Sequence, residues 1–324
     1  MAKTSNLLWI VLLAALAILP LVNDNSYVRH IAIVAILYAS LVSSWNLTLG
    51  FAGVFNFGHM AFFAIGAYTA AILTQTFGLS PWIGLLAAIA TSVAASILVC
   101  LPVLRLKGIY VVLVTFAFGQ LCYQVVLNQR DITGGTFGIV SIPPLEIAGY
   151  SFAANLNIGY YYFALIMLVI STVYVSRLVR SDFGRTVIAL RDNETYAISR
   201  GVGTARVRLM IFAASAVFPG AVGALYAFYV RSASPDLFGF SLITLGLSML
   251  LVGGISTVWG PLIGAATLTI VSELMADLGP ARYLVIAAMI VLVLRFLPGG
   301  LVSAFTVLRD ARMRPNPTVT ESEG

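Results

Sequence analysis

Charge is what this sequence has least of. Only 9% of its 324 residues are charged, 60% are hydrophobic, and the mean hydropathy is +1.00. A soluble domain carries about 25% charged residues, so there is too little charge here to clothe a water-facing surface. The chain reads as an integral membrane protein. Lysine is almost missing: Lys3 and Lys107 are the two it has. Neither ends a G-x-x-x-x-G-K-[ST] loop, so the chain does not cradle ATP phosphates itself. Its two histidines, His30 and His59, lack metal-ligand spacing. Cys100 and Cys122 lie in apolar runs and read as packing residues, with no disulfide framework. No serine sits in a G-x-S-x-G elbow, and no nucleophile–base constellation is present. An enzyme reading therefore has little support. Carboxylates and histidines are so sparse within the apolar runs that no proton relay or sodium site is evident. The energy for any active transport then has to come from outside the chain.

What is there is a succession of apolar stretches near the length that crosses a bilayer. They lie at 7–22, 31–49, 60–77, 81–104, 108–127, 158–178, 209–230, 237–252, 259–275 and 281–297. Unbroken runs of this length indicate helices rather than the alternating ten-residue strands of a barrel. The expected fold is an all-α polytopic bundle of about ten spans, eight to ten if the breaks at 50–59 and 253–260 are re-entrant. Residues 1–297 form its transmembrane domain, and 298–324 a tail whose end is expected to be disordered. Into this apolar chain is set a charged island, residues 177–208, which holds ten of the thirty charged side chains. An island of that kind belongs in water, and its arginine excess places it on the cytoplasmic side. With both termini also inside, fourteen cationic side chains fall inside and four, Arg29, Arg130, Arg231 and Arg282, fall outside. The net charge of +6 is thus an orientation signal rather than a sign of a nucleic-acid partner.

Within the island, residues 184–201 read as one amphipathic helix of about 15 residues closed by Gly201, and too polar to be buried in its own bundle. It either docks on a cytoplasmic motor or is a solvated loop that only sets orientation. Glu273 is the one carboxylate inside a span. An intramembrane ionisable group is a functional candidate by default, though near the outer end of its run it can also snorkel. The glycine-rich breaks are candidates for a transport path, because irregular backbone at membrane depth is tolerated where it lines a cavity. That path would involve Asn56, Gly58 and His59 in one break and Gly253 and Gly254 in the other. The alternative for His59 is a core residue satisfied by a neighbouring carbonyl. Ala216, Gly220 and Ala224 at four-residue spacing offer a flat face for close helix packing, and Pro219 beside them should bend the helix.

Several of these stretches match one family in order. Gly184-Arg185 through Arg191-Asp192-Asn193-Glu194 resembles the G-R-x-x-x-A-[IL]-R-[ED]-N-E signature of LivM-type permeases of branched-chain amino acid transporters. Ala197 and Gly201 fall on the A and G of the A-A-x-x-x-G part of the importer coupling loop. The stretch from Gly220 to Ala227 is similar to G-x-x-G-A-L-Y-A, and Ser234-Pro235-Asp236 to S-P-D. The stretch from Gly253 to Pro261 resembles G-G-x-G-[ST]-x-W-G-P, with Ser256 where a glycine is usual. Asn56 to Tyr68 resembles S-L-G-H-A-A-F-F-G-I-G-A-Y. Thr133-Gly134-Gly135-Thr136-Phe137-Gly138 resembles T-G-G-T-D-G, with phenylalanine for aspartate.

The resemblance implies a multi-pass protein of the bacterial inner membrane, paired with a LivH-type second permease. Two cytoplasmic ATPase subunits, which bind the ATP and magnesium, would dock beneath it. A periplasmic binding protein would deliver a hydrophobic amino acid from above. It assigns ATPase coupling to Gly184, Arg185, Arg191, Asp192, Asn193, Glu194, Ala197 and Gly201. It makes Thr133, Gly134, Gly135 and Thr136 a candidate contact for the binding protein, or a structural turn. Permeases for urea, short amides or sugars in the same superfamily are the nearest alternatives. An ATP-independent carrier or channel is a further one, which co-purification with an ATPase would separate.

Overall fold

A computed structural model describes residues 16–20, 25–147, 149–297 and 299–303. The run at 7–22 lies mostly outside the described residues, as does most of the tail. The longer helices, in chain order, are α1 (Ser26–Asn46), α2 (His59–Ala71), α3 (Pro81–Val103), α4 (Ile109–Asn128) and α5 (Ala154–Arg180). They continue with α6 (Asp182–Asp192), α7 (Glu194–Ser199), α8 (Thr204–Val230), α9 (Phe240–Gly253), α10 (Gly260–Leu274) and α11 (Arg282–Phe296). Single π-turns, Leu47–Phe51 and Ile72–Thr76, prolong α1 and α2.

Five of these helices, with α1 counted through its π-turn, are long and apolar enough to cross a membrane: α1, α3, α4, α5 and α8. Three more are apolar but shorter: α9, α10 and residues 284–296 of α11. At 1.5 Å per residue, the 14 residues of α9 rise about 21 Å, short of the ~30 Å hydrocarbon core. The apolar runs thus map onto helices in order, but several are trimmed by glycine-rich ends that hydropathy does not register.

α1 and α8 form the buried centre, while α4 sits at the rim with Leu113, Leu121 and Val125 exposed. Exposed leucines are the expected dress of a lipid-facing surface. The tightest packing joins α2, α3 and α8. A methyl group at Gly66 would come within 2.5 Å of the Gly220 carbonyl, and one at Gly220 within 2.5 Å of that of Ala88. Small residues let these backbones touch, which is how helices associate where lipid offers no hydrophobic drive. α8 runs on through Pro219, and the Tyr174 hydroxyl donates to the Ala214 carbonyl in the turn below it (3.2 Å).

Among the described residues strands are few. β1 (Ile139–Val140) pairs antiparallel with β4 (Ser232–Ala233), and β2 (Glu146–Ile147) with β3 (Tyr150–Ser151). These ladders and the one-turn helix Arg130–Thr133 close the end of the bundle away from the arginine loop.

Candidate functional site

The arginine loop does not form one helix. Asn193 adopts an extended conformation (φ −153°, ψ 93°) and splits it into α6 and α7. The reason is local. Asn193 caps α7, its side chain accepting from the Tyr196 N–H at 2.9 Å, and a capping residue stands outside the helix it caps. Ser181 caps α6 through the Gly184 N–H at 3.2 Å. Gly201, at φ +84°, ends α7: its N–H bonds to Ile198 O and that of Val202 to Ala197 O. This is the paired closure that a left-handed glycine permits.

The two-helix elbow has an inner and an outer face. On the inner face, Arg191 Nη1 donates to Gly50 O (3.0 Å) and to Ser256 Oγ (3.1 Å). Its Nε bonds to Asp192 Oδ1 at 2.9 Å, which fixes the fork. Gly50 belongs to the first glycine-rich break and Ser256 to the second, so one guanidinium holds both. The breaks are also tied to each other. Ser256 Oγ donates to Gly50 O (2.8 Å), Ser256 N to Asn46 Oδ1 (3.1 Å), and Asn46 Nδ2 to Thr257 O (2.7 Å). Glu194 makes the second attachment, to Arg208 at the foot of α8 (2.9 Å) and to Lys107 between α3 and α4 (3.4 Å). Val187 and Ala197 are buried beneath. A cavity of about 190 Å³ lies behind this face, between the elbow, residues 52–54 and the foot of α8.

The outer face is free. Arg185 and Asp182 are paired but exposed, and Tyr196 and Ile198 are each more than half exposed. Arg200 folds over the Tyr196 ring and donates to its hydroxyl at 2.9 Å.

Ser256 occupies a left-handed conformation (φ +62°). That accounts for the glycine usual in the similar motif: a side chain there costs about 1 kcal/mol or more. The two hydrogen bonds of its hydroxyl, to Gly50 O and from Arg191, offset the strain. Gly254 (φ +119°) and Gly253 shape the same turn, and a methyl at Gly253 would collide with the Gly260 carbonyl.

The other sequence candidates lie elsewhere. Asn56 and His59 are fully buried, and neither lines the cavity behind the elbow. His59 stacks on Trp45 (ring centroids 5.4 Å apart, planes at 7°), with Nε2 3.3 Å from Ser44 Oγ. Trp45 Nε1 donates to Asn56 O, and the Asn56 side chain accepts from Gly58 N. A methyl at Gly58 would stand 2.9 Å from Thr115 O. Thr133 is buried, its hydroxyl 2.6 Å from Val126 O, while Gly134 and Gly135 take positive φ. Thr136 and Phe137 form the exposed tip of that turn, Phe137 at 88% exposure. Glu273 stands in the last turn of α10, beside a cavity at the opposite end from the elbow.

Asn46, Lys107 and Arg208 were not singled out by the sequence. A polar residue ending an apolar run four places before Gly50 was the signal available for Asn46. Nothing in the pattern ties Glu194 to Lys107 across more than eighty residues.

Fold and site together define a multi-pass helical membrane protein whose polar groups gather at the helix breaks and ends rather than in a reaction centre. The sequence model of the family described as branched-chain amino acid transport system / permease component matches residues 27–294, and the chain belongs to that family. It is 32% identical over 292 residues to the high-affinity branched-chain amino acid transport system permease protein LivM of Salmonella typhimurium, covering 84% of this chain and 69% of that protein. The LivM protein of Escherichia coli matches with the same identity and coverage. A probable branched-chain amino acid transport permease protein LivM of Methanocaldococcus jannaschii is 24% identical over 228 residues, 60% of this chain and 65% of that one. No solved structure matches.

Proposed function

We propose that this chain is the membrane-spanning permease subunit of an ATP-driven importer in the bacterial inner membrane, passing branched-chain or other hydrophobic amino acids to the cytoplasm. The observation that carries the reading is the Arg191 tie. A polar elbow exposed to water is joined by one side chain to both breaks in the helical bundle. Work delivered to the outer face through Arg185, Tyr196, Ile198 or Arg200 would reach the helix ends without an intervening flexible loop. A conformational change follows only from a difference in interaction between two states. The elbow is where two ATPase subunits, binding ATP and magnesium, would supply that difference.

A LivH-type second permease would complete the bundle. A periplasmic binding protein would set most of the selectivity and touch the tip at Thr136 and Phe137. The test is reconstitution of the purified complex in proteoliposomes, with and without its ATPase subunits. Leucine should accumulate against its gradient only with those subunits, ATP and the binding protein present. Uphill uptake in their absence would overturn the reading.

A further inference from the structure

A second cavity, of about 180 Å³, opens at the end of the bundle away from the elbow. Its lining includes Glu273 and Thr269 of α10, Tyr226 of α8, Val34 of α1, and Leu242 and Leu245 of α9. Three features of the polar wall lack a structural explanation. Glu273 places a carboxylate in the last turn of a helix, where the macrodipole is negative and disfavours it. Among the described residues no cation pairs with that carboxylate and no donor reaches it; its backbone carbonyl alone accepts, from Tyr27 (3.4 Å). Thr269, one turn earlier, is only 3% exposed, yet its hydroxyl has no hydrogen-bond partner.

Most buried hydroxyls of the bundle reach a carbonyl, as Thr172 does that of Leu168 and Ser248 that of Thr244; Thr269, like Ser43 and Tyr68, does not. A buried hydroxyl left without a partner keeps the cost of its lost hydration. The Tyr226 ring packs at 61° to that of Phe63, and its hydroxyl makes no hydrogen bond among the described residues. The neighbouring His30 is engaged by the Tyr229 hydroxyl at 2.6 Å.

A carboxylate and two free hydroxyls sharing one cavity with branched aliphatic side chains are the complement of an ammonium group on a branched aliphatic chain. We propose that this cavity is a substrate subsite that binds the α-ammonium of a branched-chain amino acid on Glu273, Thr269 and Tyr226, with its side chain against Val34, Leu242 and Leu245. The proposal rests on the importer reading and adds to it a contact inside the membrane domain. The volume equals that of about six waters, enough for the ammonium and the nearer carbons. The rest of the molecule, its carboxylate included, would extend through the open side. A carboxylate facing hydrocarbon is costly, so that side belongs against the second permease rather than lipid.

The experiment uses the assembled, nucleotide-free complex without binding protein, and saturation-transfer NMR with three probes: leucine, 3-methylbutylamine and 4-methylpentanoate. Leucine and the amine should receive saturation from the wild-type complex, and the acid should not. Glu273→Gln, which keeps the size of the side chain, should abolish the signal of the amine. Leu245→Trp, which fills the cavity, should abolish that of leucine as well. Co-elution of the subunits and an unchanged melting temperature establish that both variants are assembled. In proteoliposomes, Glu273→Gln should lower the maximal leucine uptake about tenfold, the loss of one charged contact worth ~1.4 kcal/mol, with the half-saturating binding-protein concentration unchanged. An amine signal or an uptake rate equal to wild type in Glu273→Gln would overturn the subsite while leaving the importer reading intact. Failure of the wild-type complex to accumulate any amino acid would overturn both.

Discussion

The two ends of the bundle hold their charges differently. At the elbow, opposite charges meet: Arg191 with Asp192, and Glu194 with Arg208 and Lys107. At the other end, cations hold backbone carbonyls. Arg29, 2% exposed, donates to the carbonyls of Asn155 and Leu156, two residues in left-handed conformation, and Arg231 donates to that of Ile142. Glu273, the carboxylate at that end that lines a cavity between the helices, has no ion pair among the described residues. Ion pairs fix one element against another in a set geometry, which suits the coupling role proposed for the elbow. Arginines bound to loop carbonyls stiffen those loops, and the charge of Glu273 stays available to the cationic group proposed above.

Severing the elbow from the breaks is the strongest way to break this contrast. Arg191→Ala removes a charged donor from Gly50 O and Ser256, a loss of about 1.5–3 kcal/mol, so leucine moved per ATP hydrolysed should fall about tenfold or more. Arg191→Lys should not rescue it, since one ammonium lacks the planar fork that serves Asp192, Gly50 and Ser256 together. A normal ratio of uptake to hydrolysis in either variant would show that the elbow acts through some other contact. Glu194→Gln should uncouple less. Glu194 is 28% exposed on its side chain and its pairs are partly screened, so about 1 kcal/mol or less is at stake. The expected drop in the same ratio is a few-fold at low salt and smaller at high salt. At the opposite end, Phe137→Ser removes an exposed aromatic from the proposed receptor contact. It should raise the half-saturating binding-protein concentration about fivefold, roughly 1 kcal/mol, with the maximal rate unchanged. An equal effect on the maximal rate would mean that the tip belongs to the moving parts.

How far the sequence led differs between the same two regions. Every apolar run that falls within the described residues became a helix in the expected order, because hydropathy depends on local composition. The elbow was legible as a polar island for the same reason. Its division at Asn193 was not, because a cap competes with helix continuation on local hydrogen bonding that periodicity does not weigh. The meeting of Arg191, Gly50 and Ser256 was hidden as well. Each was noticed for its own oddity, but contacts spanning 141 and 65 residues are fixed by packing rather than by pattern. Thr269 gave no signal at all. A threonine in an apolar helix is ordinary, and only the missing partner for its hydroxyl distinguishes it.

Ser256→Gly should have the smallest effect, and for that reason it refines the contrast most. The substitution relieves a left-handed side-chain conformation, a gain of about 1 kcal/mol. It also removes the hydroxyl that donates to Gly50 O at 2.8 Å and accepts from Arg191 at 3.1 Å, a loss held to about 1 kcal/mol net because Arg191 and Gly50 O still bond to each other. The two nearly cancel, so the melting temperature of the complex should move by less than about 2 °C, given that 1 kcal/mol shifts a large domain by only a few degrees. The backbone bond from residue 256 to Asn46 Oδ1 and the Arg191 bond to Gly50 O both survive. Uptake per ATP should therefore stay within about twofold of wild type, a few tenths of a kcal/mol. A collapse of coupling in Ser256→Gly would mean that the serine hydroxyl, rather than the guanidinium, joins the two breaks. The tie would then run through α9 and α10 more than through α1, and the loss in Arg191→Ala would have to be explained by the serine it leaves without a donor.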